Sequence, residues 1–152
     1  MHEIRTGIDI DATPARVWSV LTDFAAYPRW NPFVESIEGR PERGARLVVR
    51  IRPRGGRAMT FRPVLLVAEA EKELRWRGRF LVPGLFDGEH YLLIEPGPDG
   101  RTRLVHGERF SGVLVPLARS SLDEGTRGGF LDMNRALKAR AESGDRDRPT
   151  SG

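Results

Sequence analysis

The sequence predicts one α+β domain, in which a curved antiparallel sheet of six to seven strands surrounds a long C-terminal helix. Three observations predict it. The chain opens with an alternating segment, two short helical segments broken by proline follow, and several alternating segments then precede one long helical pattern. Because short turns join only antiparallel neighbours, the strands form a meander. One helix covers such a sheet only if the sheet curls around it.

The first strand and the two short helices occupy the first 32 residues. Alternation predicts a strand over residues 3–10. Its apolar face consists of Ile4, Thr6, Ile8 and Ile10. A helix follows, since Thr13 can cap it and Pro14 lacks an N–H that would have no partner in the first turn. The dipeptides Tyr27-Pro28 and Asn31-Pro32 break this helix and leave room between them for a short second helical turn.

Further strands are predicted wherever apolar residues alternate between turn signals. These strands cover residues 47–52, 59–70, 74–80, 88–95 and 101–112. Glycine or proline marks the turns at residues 55–56, 83–84 and 96–100. Glu71 and Lys72 form the remaining turn.

The C-terminal helix is predicted from Pro116 to about Ala141, because apolar residues recur there every three or four positions. That face consists of Leu122, Thr126, Phe130, Met133 and Leu137. The predicted helix contains three glycines, Gly125, Gly128 and Gly129. Their presence requires an explanation, since each glycine destabilises a helix by about 1 kcal/mol relative to alanine. Either the helix backbone approaches a strand or a ligand closely there, or the helix is kinked or interrupted.

Composition narrows the class of protein. A chain of 152 residues has the length of one domain, and we assign residues 1–142 to it and residues 143–152 to a disordered polar tail. The absence of cysteine excludes disulfides and sulfur-ligated metals. No leader peptide is visible, and no apolar stretch reaches the ~20 residues of a membrane helix, so we expect a cytoplasmic protein without membrane insertion. The 25 basic residues are scattered among 21 acidic ones, so we expect no nucleic-acid binding; a homodimer stays open.

Several segments resemble the SRPBCC (START, birch-pollen-allergen-like) superfamily, and more narrowly its polyketide cyclase/dehydrase-like branch. The similar segments are residues 8–18, 21–24, 27–32, 74–78, 88–90, 102–104, 107–112 and 130–138. The resemblance covers about residues 1–142 and implies a helix-grip fold with a deep cavity between the sheet and the C-terminal helix. It transfers no catalytic residue, because this superfamily includes lipid carriers, hormone receptors, cyclases and co-chaperone activators.

Three titratable side chains are predicted to meet on the last two strands. The apolar residues beside them indicate that His90, His106 and Glu108 point inward. Antiparallel pairing places His90 opposite His106 or Glu108, within about 5.5 Å for direct neighbours and about 8 Å diagonally. Such a cluster can enolise a carbonyl and assist an aldol-type ring closure or a dehydration. Alternatively it is structural or orients a ligand, since buried polar groups must be paired. Strand spacing is a poor metal signature, so no metal site is predicted.

Apolar side chains are predicted to line the cavity, although each can instead belong to a plain core. They are Trp30, Phe33, Trp76, Phe80, Leu92, Phe110, Phe130 and Met133. We therefore expect a hydrophobic or aromatic small-molecule ligand. The sequence has no phosphate-binding loop, nucleophile elbow or Cys/His metal spacing, so catalysis would be acid–base chemistry without a cofactor. Whether the protein is an enzyme stays open. The alternative is a protein-interaction module similar to the co-chaperone-activator branch, without catalysis.

Overall fold

The computed structural model describes residues 2–80 and 84–143. Within them it has the predicted α+β, helix-grip architecture. The tail that the sequence predicts to be disordered, residues 143–152, lies outside the described residues apart from Ser143.

Eight strands and four helices follow one another along the described chain. In order they are β1 (His2–Ile10), α1 (Pro14–Thr22), α2 (Tyr27–Trp30), β2 (Val34–Glu38), β3 (Val48–Ile51), β4 (Met59–Phe61), β5 (Val64–Glu69), β6 (Glu73–Phe80), β7 (Phe86–Pro96), β8 (Thr102–Ser111), α3 (Val115–Ser121) and α4 (Arg127–Glu142). A π-helical turn, Leu122–Thr126, joins α3 to α4, and short 3-10 turns lie at Phe24–Ala26 and Pro98–Gly100. No helix among the described residues is long and apolar enough to cross a bilayer.

The strands form two antiparallel sheets, where the sequence predicted a single sheet of six to seven strands. The larger sheet has the order β1-β8-β7-β6-β5, and the smaller one has the order β2-β3-β4. Strand β2 was not predicted. The predicted strand over residues 59–70 divides into β4 and β5, because Pro63 has no N–H to continue a ladder. A bridge between Arg46 and Val64 connects the two sheets.

Bulges help to curve these sheets. The pairing of β2 with β3 shifts register between Val34 and Ser36, and the pairing of β5 with β6 shifts between Leu65 and Val67. An extra residue on one strand bends it and increases its twist. The bent sheets therefore form a concave inner face that one helix can occupy.

Helix α1 begins as predicted, since the side chain of Thr13 accepts a hydrogen bond from the Arg16 amide and Pro14 is the first helical residue. Its buried face consists of Val17, Val20 and Leu21. The Arg16 guanidinium in turn donates to the carbonyl oxygens of Arg140 and Ala141, where the last carbonyls of α4 have no helical partner. This contact holds the end of α4 against α1.

Helix α4 packs its apolar face on the larger sheet. That face consists of Phe130, Met133, Asn134, Leu137 and Ala141, all buried. The periodicity in the sequence predicted most of it, but not that one of its members is an asparagine.

The predicted long helix corresponds to α3 and α4, which are joined by the π-helical turn. The glycines in this region lie close to residues of neighbouring elements. The Arg54 amide, in the loop between β3 and β4, donates to the Gly125 carbonyl oxygen at 3.1 Å. A Cβ on Gly128 would lie 2.9 Å from Arg54 Nε, and one on Gly129 would lie 2.2 Å from the Phe33 ring. The close-approach alternative therefore accounts for Gly128 and Gly129, while Gly125 lies in the π-helical turn that interrupts the helix. The Arg54 guanidinium also pairs with Asp132 of α4, which fixes the loop across the helix.

Candidate functional site

A cavity of about 450 Å³ lies between the two sheets, α3 and the π-helical turn. Its wall is mostly apolar and rich in aromatic rings. The aromatic side chains are those of Phe33, Phe61, Trp76, Phe86 and Phe110. The residues of the wall that have polar side chains are Arg79, Glu108 and Thr126. Glu108 is therefore the acidic residue that the described wall contributes to the cavity.

The mouth of the cavity lies beside α3. Leu117 on this helix lines the cavity although it is 86% exposed, and Met59 on β4 also lines it and is exposed. Large apolar side chains are seldom exposed together without a binding role. Their exposure indicates that the cavity opens between α3 and the β3–β4 hairpin.

The three predicted titratable residues meet on neighbouring strands, as their alternation indicated. In the pairing of β7 with β8, His90 lies directly opposite Glu108, and His106 lies opposite Leu92. Glu108 reaches the cavity, with a side chain that is 17% exposed. Both histidines are buried behind this wall and contribute nothing to its lining among the described residues.

A chain of short hydrogen bonds connects both histidines to β1 and α4. His90 Nε2 lies 2.9 Å from His106 Nε2, and His106 Nδ1 lies 2.8 Å from Asn134 Oδ1. Asn134 Nδ2 lies 2.8 Å from Thr6 Oγ1, whose hydroxyl donates to the His106 carbonyl oxygen at 2.8 Å. All four side chains are buried. We call these residues, Thr6, His90, His106 and Asn134, the polar chain.

Aromatic rings enclose the polar chain. The Trp76 indole stacks on His90, with ring centroids 4.6 Å apart and planes 5° apart. Phe130 stacks on His106 at 4.1 Å and meets His90 edge-on at 5.2 Å. Water is thereby excluded from both imidazoles, and their charged forms lose hydration.

Burial sets the protonation states of the whole group. It lowers the pKa of His90 to about 3, and it lowers the pKa of His106 well below its ordinary value. Burial also raises the pKa of Glu108 to about 8. His90 Nδ1 lies 3.7 Å from Glu108 Oε1 and has no hydrogen-bond partner among the described residues. At neutral pH this contact therefore joins a neutral acid to a neutral imidazole, and it is not an ion pair.

The apolar residues predicted to line the cavity separate into two groups. Phe33, Trp76 and Phe110 line it. Leu92, Phe130 and Met133 are instead buried where α4 packs directly on the sheet, and Trp30 packs on Tyr27 at 5.0 Å. Phe80 ends β6, and its side chain lies outside the described part of the structure. Periodicity identifies an inward face, but it does not show where the opposing element stops short.

Sequence reasoning missed two polar members of the site and several wall residues. Thr6 and Asn134 complete the polar chain, while wall residues such as Phe61 and Met59 line the cavity. A signal existed for the first two, because each is a polar residue at an inward position of an otherwise apolar face.

Residues 1–142 match the sequence profile of the family described as polyketide cyclase/dehydrase and lipid transport. No curated protein matches the chain significantly.

Solved structures share the fold at low sequence identity. The Zhui aromatase/cyclase from Streptomyces sp. R1128 is 20% identical with a TM-score of 0.74, over 99% of this chain and 98% of that one. A START superfamily protein from Mycobacterium smegmatis is 18% identical with a TM-score of 0.66, over 94% and 99%. The protein TTHA0849 from Thermus thermophilus is 19% identical with a TM-score of 0.73, over 94% and 99%. At these identities the likeness shows the fold alone.

Because burial raises the pKa of Glu108, we expect this carboxyl to destabilise the folded protein increasingly as the pH rises. Between pH 4.5 and about 8 the unfolded chain ionises Glu108 while the folded protein keeps it protonated, so the folded state binds more protons and loses stability as the pH rises. Glu108→Gln removes this titration. We expect the free energy of unfolding of the variant, relative to wild type, to rise across this window by up to about 5 kcal/mol, since the window spans about 3.5 pH units and each corresponds to about 1.4 kcal/mol.

Urea unfolding at several pH values measures this difference. Glu95→Gln, at an exposed position of the same sheet, is the matched control and should show no comparable trend. The histidines titrate in wild type and variant alike, so their contribution largely cancels. A difference between wild type and Glu108→Gln that stays flat across the window would show that Glu108 ionises normally.

Proposed function

We propose, because this chain belongs to the polyketide cyclase/dehydrase and lipid transport family, that its cavity binds a hydrophobic or aromatic small molecule. The single observation that carries the proposal is a hollow interior of about 450 Å³ with an almost entirely apolar wall. Small-molecule sites typically measure about 300–1,000 Å³, and a few polar groups in them fix the orientation of the ligand. Glu108 is such a group.

The wall favours a ligand with flat rings. Trp76 and Phe110 face the cavity from neighbouring regions of the larger sheet, and Phe33 and Phe61 face it from the other side. Aromatic side chains pack well against other rings, in offset-stacked or edge-on arrangements. Burial of the ligand's apolar surface would supply most of the binding free energy, at roughly 25 cal/mol per Å².

We further propose that Glu108 performs acid–base chemistry on the bound ligand, of the kind a cyclase or dehydratase needs. In a dehydration, the hydroxyl of neutral Glu108 turns away from His90 toward the cavity and gives its proton to a leaving hydroxyl as the carbon–oxygen bond breaks. The resulting carboxylate then takes a proton from the carbon beside the ligand's carbonyl, so a double bond forms, water leaves and Glu108 regains its proton. His90 and His106 do not contact the ligand in this scheme, because both lie behind the cavity wall. They influence the reaction only through Glu108.

The alternative, a protein-interaction module, is less well supported. It would need a filled interior and an apolar patch on the outer surface. The exposed large apolar side chains of the described residues are Met59, Val113 and Leu117, and two of these, Met59 and Leu117, line the cavity. Their exposure is therefore better explained by a ligand entrance than by a docking surface.

Filling the cavity should abolish ligand binding without unfolding the protein. A Cβ on Gly78 would meet only Pro63, at 3.9 Å, so the side chain of Gly78→Leu would extend into the cavity. We expect wild type to bind Nile red saturably at one site and Gly78→Leu to bind it at least tenfold more weakly, because the leucine occupies the ligand's volume.

Fluorescence titration with Nile red measures this binding, with naphthol as the competing ligand. Arg77→Leu, on the outer face of the same strand, is the control and should bind like wild type. Binding that never saturates, or equal binding by Gly78→Leu, would show that the cavity is not the binding site.

The acid–base proposal predicts a separate effect of Glu108→Gln on turnover. The amide keeps the shape of the carboxyl but cannot donate and recover a proton, so dehydration of a bicyclic β-hydroxy ketone to a naphthol should slow at least ~100-fold. Absorbance of the naphthol measures the rate, and Nile red titration measures binding by the same variant. A wild-type rate no faster than that of Glu108→Gln would leave the cavity a binding site without catalysis.

A further inference from the structure

The polar chain can hold its hydrogens in only one direction, and Thr6 fixes that direction. Thr6 Oγ1 lies 2.8 Å from the His106 carbonyl oxygen and 2.8 Å from Asn134 Nδ2. A carbonyl oxygen carries no hydrogen, so the single hydroxyl hydrogen of Thr6 must lie in the contact with His106. Thr6 Oγ1 therefore accepts in the other contact, which requires the NH₂ group of Asn134 to face it.

The orientation of Asn134 also determines which ring nitrogen carries the hydrogen in each of the two histidines. With its NH₂ group toward Thr6, Asn134 offers its carbonyl oxygen to His106, so His106 Nδ1 carries the hydrogen. A neutral imidazole has one N–H, which leaves His106 Nε2 as an acceptor. His90 Nε2, 2.9 Å away, must then be the donor, and His90 Nδ1 is left as a lone pair.

That lone pair has no hydrogen-bond partner among the described residues, and the carboxyl of Glu108 lies within 4 Å of it. His90 is 1% exposed, so solvent does not reach the ring nitrogen. Glu108 Oε1 lies 3.7 Å from it, and no other ion-pair contact of Glu108 occurs within residues 2–80 and 84–143. A lone pair can be satisfied only by a donor, and a carboxylate has no hydrogen to give. The polar chain therefore favours the neutral acid, with its hydroxyl turned toward His90.

We propose that Thr6 and Asn134 are positioning residues that fix the tautomers of His106 and His90, so that Glu108 is held as a neutral acid and offers its second oxygen to the cavity as an acceptor. The preferred ligand is then a neutral aromatic molecule with a hydroxyl hydrogen to donate there. The ligand half of this inference rests on the proposed binding function; the direction of the polar chain does not.

Ligand chemistry should follow from this arrangement. A phenolic hydroxyl donates to the free oxygen of Glu108 and leaves the contact with His90 intact. A methyl ether of the same ring system has no hydrogen to donate. A ligand that carries only a carbonyl has to draw the Glu108 proton away from His90. The cavity thus distinguishes ligands of nearly equal size and apolarity by one hydrogen.

Nitrogen NMR tests the direction of the polar chain without any ligand. The protein has three histidines, and His2→Gln removes the one that does not belong to the polar chain. At pH 7 we expect two neutral rings, with the hydrogen on Nδ1 of His106 and on Nε2 of His90. The opposite positions, or an imidazolium in either ring, would overturn the proposal, and this wild-type result stands whether or not any variant folds.

Two substitutions at Thr6 test its role as a positioning residue. Thr6→Val keeps the shape but removes the hydroxyl, so the buried rings should populate both tautomers. Thr6→Ser keeps the hydroxyl and should restore the wild-type spectrum. A Thr6→Val spectrum identical to that of wild type would remove Thr6 from the proposal, because a purely packing role would leave the tautomers unchanged.

A matched pair of ligands tests the ligand half. We expect a naphthol to bind about tenfold more tightly than its methyl ether, the difference that one hydrogen bond makes. Equal affinity would overturn the hydroxyl preference while leaving the proposed binding function intact. Failure of both compounds to bind would contradict the binding function and the ligand half together, and the nitrogen spectrum would still decide the direction of the polar chain.

Discussion

Removal of water from Glu108, His90 and His106 is the constraint on which the site depends. Trp76 and Phe130 cover the two imidazoles, and the apolar wall of the cavity surrounds the carboxyl. The same physical cause moves the pKa of the acid upward and those of the bases downward, since both charged forms lose hydration. These three titratable groups are therefore neutral near pH 7, and an apolar ligand meets no fixed charge from them, although Arg79 also lines the cavity.

The interior has a solid half and a hollow half. Along α4, side chains such as Phe130, Met133 and Leu137 fill the space up to the larger sheet. Toward α3 the helix is interrupted by the π-helical turn, and the smaller sheet and the β3–β4 loop replace it as the opposing wall. The solid half buries the polar chain, and the hollow half leaves space beside Glu108.

Much of this fold could be predicted from the sequence, and the reasons for the misses are physical. Alternation and helical spacing predicted the order of elements, the inward faces and the meeting of His90 with His106 and Glu108. They did not predict β2, or the second sheet, whose last strand β4 ends before Pro63. Which apolar residues line a cavity depends on whether the opposing element reaches them, as it does at Leu92 and Met133 but not at Trp76. Spacing within one element contains no such information.

The protonation state of Glu108 is the central claim, because both the absence of a negative charge in the cavity wall and the acid–base chemistry require it. Carbon NMR of the Glu108 side-chain carboxyl, identified by its loss in Glu108→Gln, follows this single group directly as the pH changes. The account predicts that the carboxyl stays protonated at neutrality and titrates with a pKa of about 8. Titration near the ordinary value of 4.5 would contradict it, since Glu108 would then be a charged group in contact with water.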